Sequence, residues 1–341
     1  MFENDRVAIT SSLGKSINMK MISNIAIVIC SLLIAYSAQA KTSVVIVQGL
    51  AGENYYQRHF DEQVEKILSA SSNLVTEDEV IVFGNTDYAV ANKENVMPQL
   101  QKVFSDAGSD DLVLLYLIGH GSFDGRDYKF NIDGEDITGT DMIELFNEDD
   151  SVESSGASVV LINTSSSSGA LLKPFAETNI HLVSATKSGA ERTATRFGRH
   201  FADGLVVDEA DINKNKSISL QEAYNYAVRE TQAFYDEEGL LATESPRLQM
   251  IEGKTAADQI RLANLVAKST VPVSNELAAM YERRDELDRE IDTLRLRRIN
   301  LSDEEYLQQF QNLMVRLSLL QANIDSESDA VPNETDIEEG E

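Results

Sequence analysis

Two stretches decide the fold: "DDLVLLYLIGHGS" (Asp110–Ser122) and "VVLINTSSSSGALL" (Val159–Leu172). Each is an unbroken apolar run that ends beside glycine and a residue capable of chemistry. In the first that residue is His120; in the second it is one of four serines, Ser165 to Ser168. Unbroken apolar runs, rather than alternating ones, mark strands covered on both faces. "SVVIVQGLAG" (Ser43–Gly52), "DEVIVFGN" (Asp78–Asn85) and "NIHLVSATKSG" (Asn179–Gly189) read the same way. Helical patterns separate or follow them: "YYQRHFDEQVEKIL", "NVMPQLQKVFSDA", "TDMIELFN" and "ATRFGRHFADGL". "YKFNIDGEDITG" reads as a hairpin around Asp133-Gly134. The expectation is an α/β domain with a mostly parallel sheet sandwiched by helices. Ligands of such sheets bind beyond the carboxyl ends of the strands, where His120 and the serines fall.

The 341 residues allow one large domain with an appendage, or two domains. With 29 basic against 57 acidic residues the net charge is −28, which repels nucleic acid and anionic lipid. The same field suits divalent cations or basic partners, or simply keeps the surface hydrated. "MKMISNIAIVICSLLIAYSAQAK" has a lysine, an apolar run from Ile25 to Tyr36 and the small-x-small end Ala38-Gln39-Ala40. Residues 1–40 therefore read as a secretory signal with an upstream extension, cleaved after Ala40. Export to a bacterial periplasm follows, with no stable membrane insertion after cleavage. Cys30, the only cysteine, lies inside that signal. The mature chain then has no disulfide, no zinc-thiolate site and no cysteine nucleophile.

"LLYLIGHGS" resembles the histidine segment of the caspase–legumain–metacaspase superfamily. "LINTSSSSGALL" resembles its nucleophile segment, in which Cys-x-Ser-Gly follows the strand. The resemblance covers roughly residues 43–205 and implies a cysteine-peptidase fold. Aligning Ser168-Gly169 with that Ser-Gly puts Ser166 at the nucleophile position, 46 residues after His120. It also implies an oxyanion hole from the backbone N–H groups of Gly121 and Ser166. "SATKSGAER" resembles the loop lining the substrate pocket, where Lys187 and Arg192 would favour an acidic side chain or are plain surface charge. The departure is the nucleophile itself. A thiolate needs little help, whereas a serine hydroxyl needs a positioned base and usually a group orienting that base. A Gly-x-Ser-x-Gly elbow is absent, because Thr164 precedes Ser166 by two and His120 precedes Ser122 by two. The chain thus reads as a peptidase-fold protein that binds a peptide or protein segment without cleaving it. The alternatives are a hydrolase using Ser166 and His120, and a structural, calcium-stabilised envelope protein. The serine favours the first.

"DINKNKSISLQE" (Asp211–Glu222) is twelve residues long and carries an EF-hand-like calcium pattern. Asp211, Asn213 and Asn215 occupy positions one, three and five. Ser217 would give its carbonyl at seven, Ser219 stands at nine, and Glu222 closes the loop. Lys216 replaces the usual sixth-position glycine, at a backbone cost. From Ala257 the composition changes. Leu277, Met280, Leu287, Ile291 and Leu294 are spaced in a heptad-like way, and Tyr306, Phe310, Leu313, Leu317, Leu320 and Ile324 repeat four-three-four. Ser302-x-x-Glu305 is a capping box. This predicts a helical hairpin on its own chain, or a coiled coil in an oligomer. The domain reading is 41–205 for the α/β domain, 206–256 for the loop and a helical extension, 257–325 for the hairpin and 326–341 for a disordered acidic tail.

Overall fold

The computed structural model describes residues 41–76, 79–84, 88–147, 156–265 and 301–329, with isolated helical positions between Met280 and Leu294. The signal at residues 1–40, Leu277 and residues 330–341 of the acidic tail lie outside the described residues.

Chain order begins β1 (Thr42–Gln48), α1 (Asn54–Ser72), β2 (Val80–Gly84), β3 (Ala89–Val90), α2 (Lys93–Asp106) and β4 (Leu112–Ile118). A small antiparallel sheet follows, made of β5 (Gly121–Phe123), β6 (Tyr128–Phe130) and β7 (Ile137–Thr138). Then come α3 (Gly139–Asn147), β8 (Ser158–Asn163), a 3-10 turn (Ser168–Leu171), α4 (Leu172–Phe175), β9 (Ile180–Ser184) and α5 (Phe197–Gly204). Last are β10 (Ser217–Ser219), α6 (Leu220–Glu237), β11 (Arg247–Gln249), β12 (Arg261–Asn264) and α7 (Asp303–Asp329).

The main sheet runs β11-β9-β8-β4-β1-β2-β3. All pairings are parallel except β11 against β9. The unbroken apolar runs are explained by what lies on each face. Val44, Ile46, Leu114, Tyr116, Val160 and Ile162 pack under α1, α5 and α6. Val45, Val47, Val113, Leu115, Val159 and Leu161 pack under α2 and α3. With helices on both sides the central strands β1, β4, β8 and β9 are buried along nearly their whole length, so alternation has no reason to arise there. The α/β architecture expected from sequence is the one observed.

Three boundaries differ from the sequence reading. The stretch 206–256 is not an appendage, because β11 completes the main sheet and α6 packs on it. Residues 261–264 are a strand paired with β10, so the hairpin begins later than Ala257. Helix α7 runs on to Asp329, into the segment assigned to the tail. Leu287, Ile291 and Leu294 cluster with Leu313, and Tyr306, Phe310, Leu317 and Leu320 pack against them. The heptad seam is therefore used within one chain. No helix among the described residues is long and apolar enough to cross a membrane.

Candidate functional site

The register places the two decisive stretches side by side. β4 and β8 are neighbours in parallel, with Leu117 opposite Asn163, so both chains leave the sheet at the same edge. The His120-Gly121 segment then turns against the serines. A Cβ on Gly121 would lie 2.5 Å from the Ser166 carbonyl oxygen and from Ser165 Oγ. Only glycine permits that approach. The register of the small sheet puts Gly121 opposite Phe130, with Asn131 N–H donating to the His120 carbonyl at 3.0 Å. That is a non-hydrogen-bonded position of an antiparallel pair, so the Gly121 N–H points away from β6.

The imidazole of His120 is held from three sides. Its Nε2 lies 3.2 Å from the carbonyl oxygen of Ala51. A carbonyl only accepts, so Nε2 is the donor in this contact, and Nδ1 is the ring nitrogen left for another partner. Tyr56 and Phe60, one turn apart on α1, meet the ring edge-to-face at centroid distances of 4.7 Å and 5.3 Å. Sequence reasoning missed all three. The Tyr56–Phe60 spacing is visible in "YYQRHF", whereas a backbone acceptor such as Ala51 leaves no mark in a sequence.

The four serines have different fates. Ser165 is fully buried and its Oγ lies 2.6 Å from Tyr128 Oη and 2.8 Å from Asn163 Oδ1. Burial, only partly offset by these bonds, pushes the Tyr128 phenol far above its usual range, so the network stays neutral. Ser166 is 3 % exposed, and among the described residues no hydrogen bond joins it to His120. Ser167 takes the left-handed conformation, φ 58°, and its buried Oγ has no partner among the described residues. Ser168 Oγ lies 3.4 Å from Thr186 Oγ1, which also accepts from Gly169 N–H at 2.7 Å.

The loop after β9 clamps this turn from above. The Glu191 carbonyl accepts Ser167 N–H at 2.8 Å. Glu191's carboxylate in turn accepts Lys187 N–H, Ser245 N–H and the Ser245 hydroxyl. Burial works against its charge, but these donors outweigh burial and hold the carboxyl below its ordinary range. The Lys187 ammonium sits 3.4 Å from the same carboxylate, so its charge is answered within the loop; Arg192 is exposed. Behind the loop the buried Glu244 accepts Arg196 N–H, Phe197 N–H and the Tyr235 hydroxyl. Burial raises its pKa in spite of those bonds.

The Asp211–Glu222 loop forms a separate cluster. Asp211 is buried and accepts the amides of Asn215 and Lys216 at 3.1 Å and 3.0 Å. Asn213 accepts Asn215 N–H, and Asn215 accepts Ser217 N–H and the Ser217 hydroxyl. Glu222 accepts Ile212 N–H and Asn213 N–H on one oxygen and Ser219 on the other. Ser219 thereby serves as the helix cap of α6. Lys214 and Lys216 both lie at positive φ, and the Lys216 ammonium pairs outward with Asp208. Among the described residues no three His, Cys, Asp or Glu side chains converge. A cation here would therefore rest on two carboxylates helped by amide, hydroxyl and backbone oxygens.

Solved structures similar to this chain include two caspases. Caspase-1 from Spodoptera frugiperda is 11 % identical, with 62 % of this chain and 86 % of that one covered at a TM-score of 0.40. For drICE the values are 9 %, 63 %, 90 % and 0.37. The similarity is one of chain course and carries no residue role. No family model and no curated protein matches the chain.

Proposed function

We propose that this chain is an exported peptide-binding protein on a peptidase-type scaffold, in which Ser166 stands in place of a nucleophilic thiol. The observation that carries this is the pairing of His120 with the Ala51 carbonyl. A backbone carbonyl orients the ring but, being uncharged, does little to stabilise an imidazolium. A base set up in this way suits a thiol that ionises readily and serves a hydroxyl poorly. The N–H groups of Gly121 and Ser166 remain suited to a peptide carbonyl, so the site would hold a peptide segment without efficient cleavage. In the test, electrophilic peptide probes are applied to wild type, Ser166→Cys and Ser166→Cys/His120→Ala. Labelling only in the single variant is expected. Peptide cleavage by wild type that Ser166→Ala abolishes would instead establish the hydrolase reading.

The second part of the proposal is calcium in the Asp211–Glu222 loop. The positive φ at its fourth and sixth residues, and the inward-facing oxygens of Asp211, Asn213, Asn215 and Glu222, support it. When bound, the ion would supply positive charge to two largely buried carboxylates and tie β10 and α6 together; the Ser217 carbonyl would complete its oxygen set. Calcium should raise the melting temperature of wild type but not of Glu222→Gln. An unchanged melting temperature in wild type with calcium or chelator rules the site out.

A further inference from the structure

Helix α7 has two apolar faces, and only one is packed among the described residues. Leu313, 9 % exposed, packs with Leu287, Ile291 and Leu294 on the seam of the hairpin, and Ile324 further along the helix is 2 % exposed. On another face Leu307, Met314, Val315 and Leu319 are 61 %, 38 %, 52 % and 63 % exposed. Together with Gln311, Ser318 and Ala322 they recur at three- and four-residue steps and form one stripe.

Two properties of the stripe say what covers it. Across the 19 residues Tyr306–Ile324 there is no acidic side chain, in a protein with 57 of them. The one charge in that stretch, Arg316, is turned to Glu290 of the same hairpin at 3.2 Å. A net charge of −28 makes two copies repel wherever carboxylates face each other, and this is a long face that has none. A two-fold axis at residue 313 also sets Leu307 of one copy against Leu319 of the other, and Gln311 against Val315. A two-fold interface requires that self-complementarity. Run antiparallel, the helices place the acidic Asp303, Glu304 and Glu305 of one copy beside the uncharged Asn323, Ala322 and Gln321 of the other. Run parallel, they would set those three carboxylates against themselves.

We propose that this face of α7 binds a second copy of the chain, antiparallel, with Met314 near the two-fold axis. The proposal is independent of the reading of the strand-end site. It is tested on the full chain carrying Cys30→Ser, by sedimentation velocity and by oxidative crosslinking. The dimer should dissociate on the order of 100-fold more readily in Leu319→Glu, since each interface contains the substitution twice. The position is exposed, so thermal unfolding of that variant at low concentration should match wild type. Met314→Cys should crosslink with itself. Leu307→Cys and Leu319→Cys should crosslink only when mixed, because like positions sit roughly 18 Å apart along the axis. A wild-type monomer at every concentration overturns the proposal, as does a dimer that tolerates Leu319→Glu or a self-crosslink of Leu307→Cys. A monomer that floats with phosphatidylcholine vesicles overturns it too, and assigns the face to lipid.

Discussion

The serine turn after β8 and the Asp211–Glu222 loop contain all three described non-glycine residues at positive φ: Ser167 in one, Lys214 and Lys216 in the other. Such conformations persist only where the surroundings over-determine them, and the two places do so by opposite means. The serine turn is held from far along the chain. The Glu191 carbonyl and Thr186 hydroxyl bind its amides, and the Lys187-Ser188 backbone lies directly against Gly169. The second loop is held from within, by side chains no more than ten residues from the amides they bind. Distant clamps give a rigid turn suited to presenting amides to a ligand. Local clamps, with the β10–β12 pairing holding only the loop's far end, give a turn restrained mainly by its own oxygens, which a cation would recruit.

The largest effect that tests this contrast is Gly169→Ala. Its Cβ would collide with backbone atoms of Thr186, Lys187 and Ser188 that cannot swing aside. Urea unfolding should show a loss of about 3 kcal/mol or more. Next comes acidification. His181 on β9, opposite Val160 of β8, is 1 % exposed and accepts Ile251 N–H. Burial, with a smaller push from Lys254, lowers its pKa from 6.5 to about 4. The unfolded chain therefore takes up a proton that the folded one refuses. Stability should be full above about pH 6.5 and fall toward pH 4, by on the order of 2 kcal/mol, and His181→Gln should flatten that slope. Asp211→Ala removes the acceptor of two loop amides, and should cost about 1–2 kcal/mol and erase any calcium-dependent shift in Tm. The smallest effects are Ser167→Gly and Lys216→Gly. Each relieves a left-handed non-glycine residue and should stabilise by roughly 0.5–1 kcal/mol. Only the second should sharpen the response to calcium. If both variants sharpened it, the two turns would be coupled and the contrast lost.

What was legible in the sequence follows from where the physics is local. Burial on both faces of a parallel sheet writes itself as unbroken apolar runs, so β1, β4, β8 and β9, and the arrival of the His120 and serine segments at one edge of the sheet, could be read directly. The orientation of His120 could not, because its partner is a carbonyl present at every residue. Nor could β11, three residues following Pro246 whose pairing with β9 depends on a chain segment over 60 residues away. Lys187 read as a pocket cation or plain surface charge, because the sequence does not show the 187–191 loop folding back to set the Glu191 carboxylate beside it. The heptad spacing of Tyr306 to Ile324 was plain, but spacing alone does not distinguish a partner helix on the same chain from one on another.

The sheet order has a consequence for how the chain comes to be folded. β1, the first strand described, ends up inside the sheet, and its neighbour β4 begins at Leu112, against Thr42. A nascent chain stopped before Leu112 carries Val44 to Val47 with one edge open and apolar side chains on both faces. High contact order of this kind makes folding slow and leaves a sticky ribbon until its partner is synthesised. Until β4 is available, that edge of β1 is the part of the sheet open to wrong pairing.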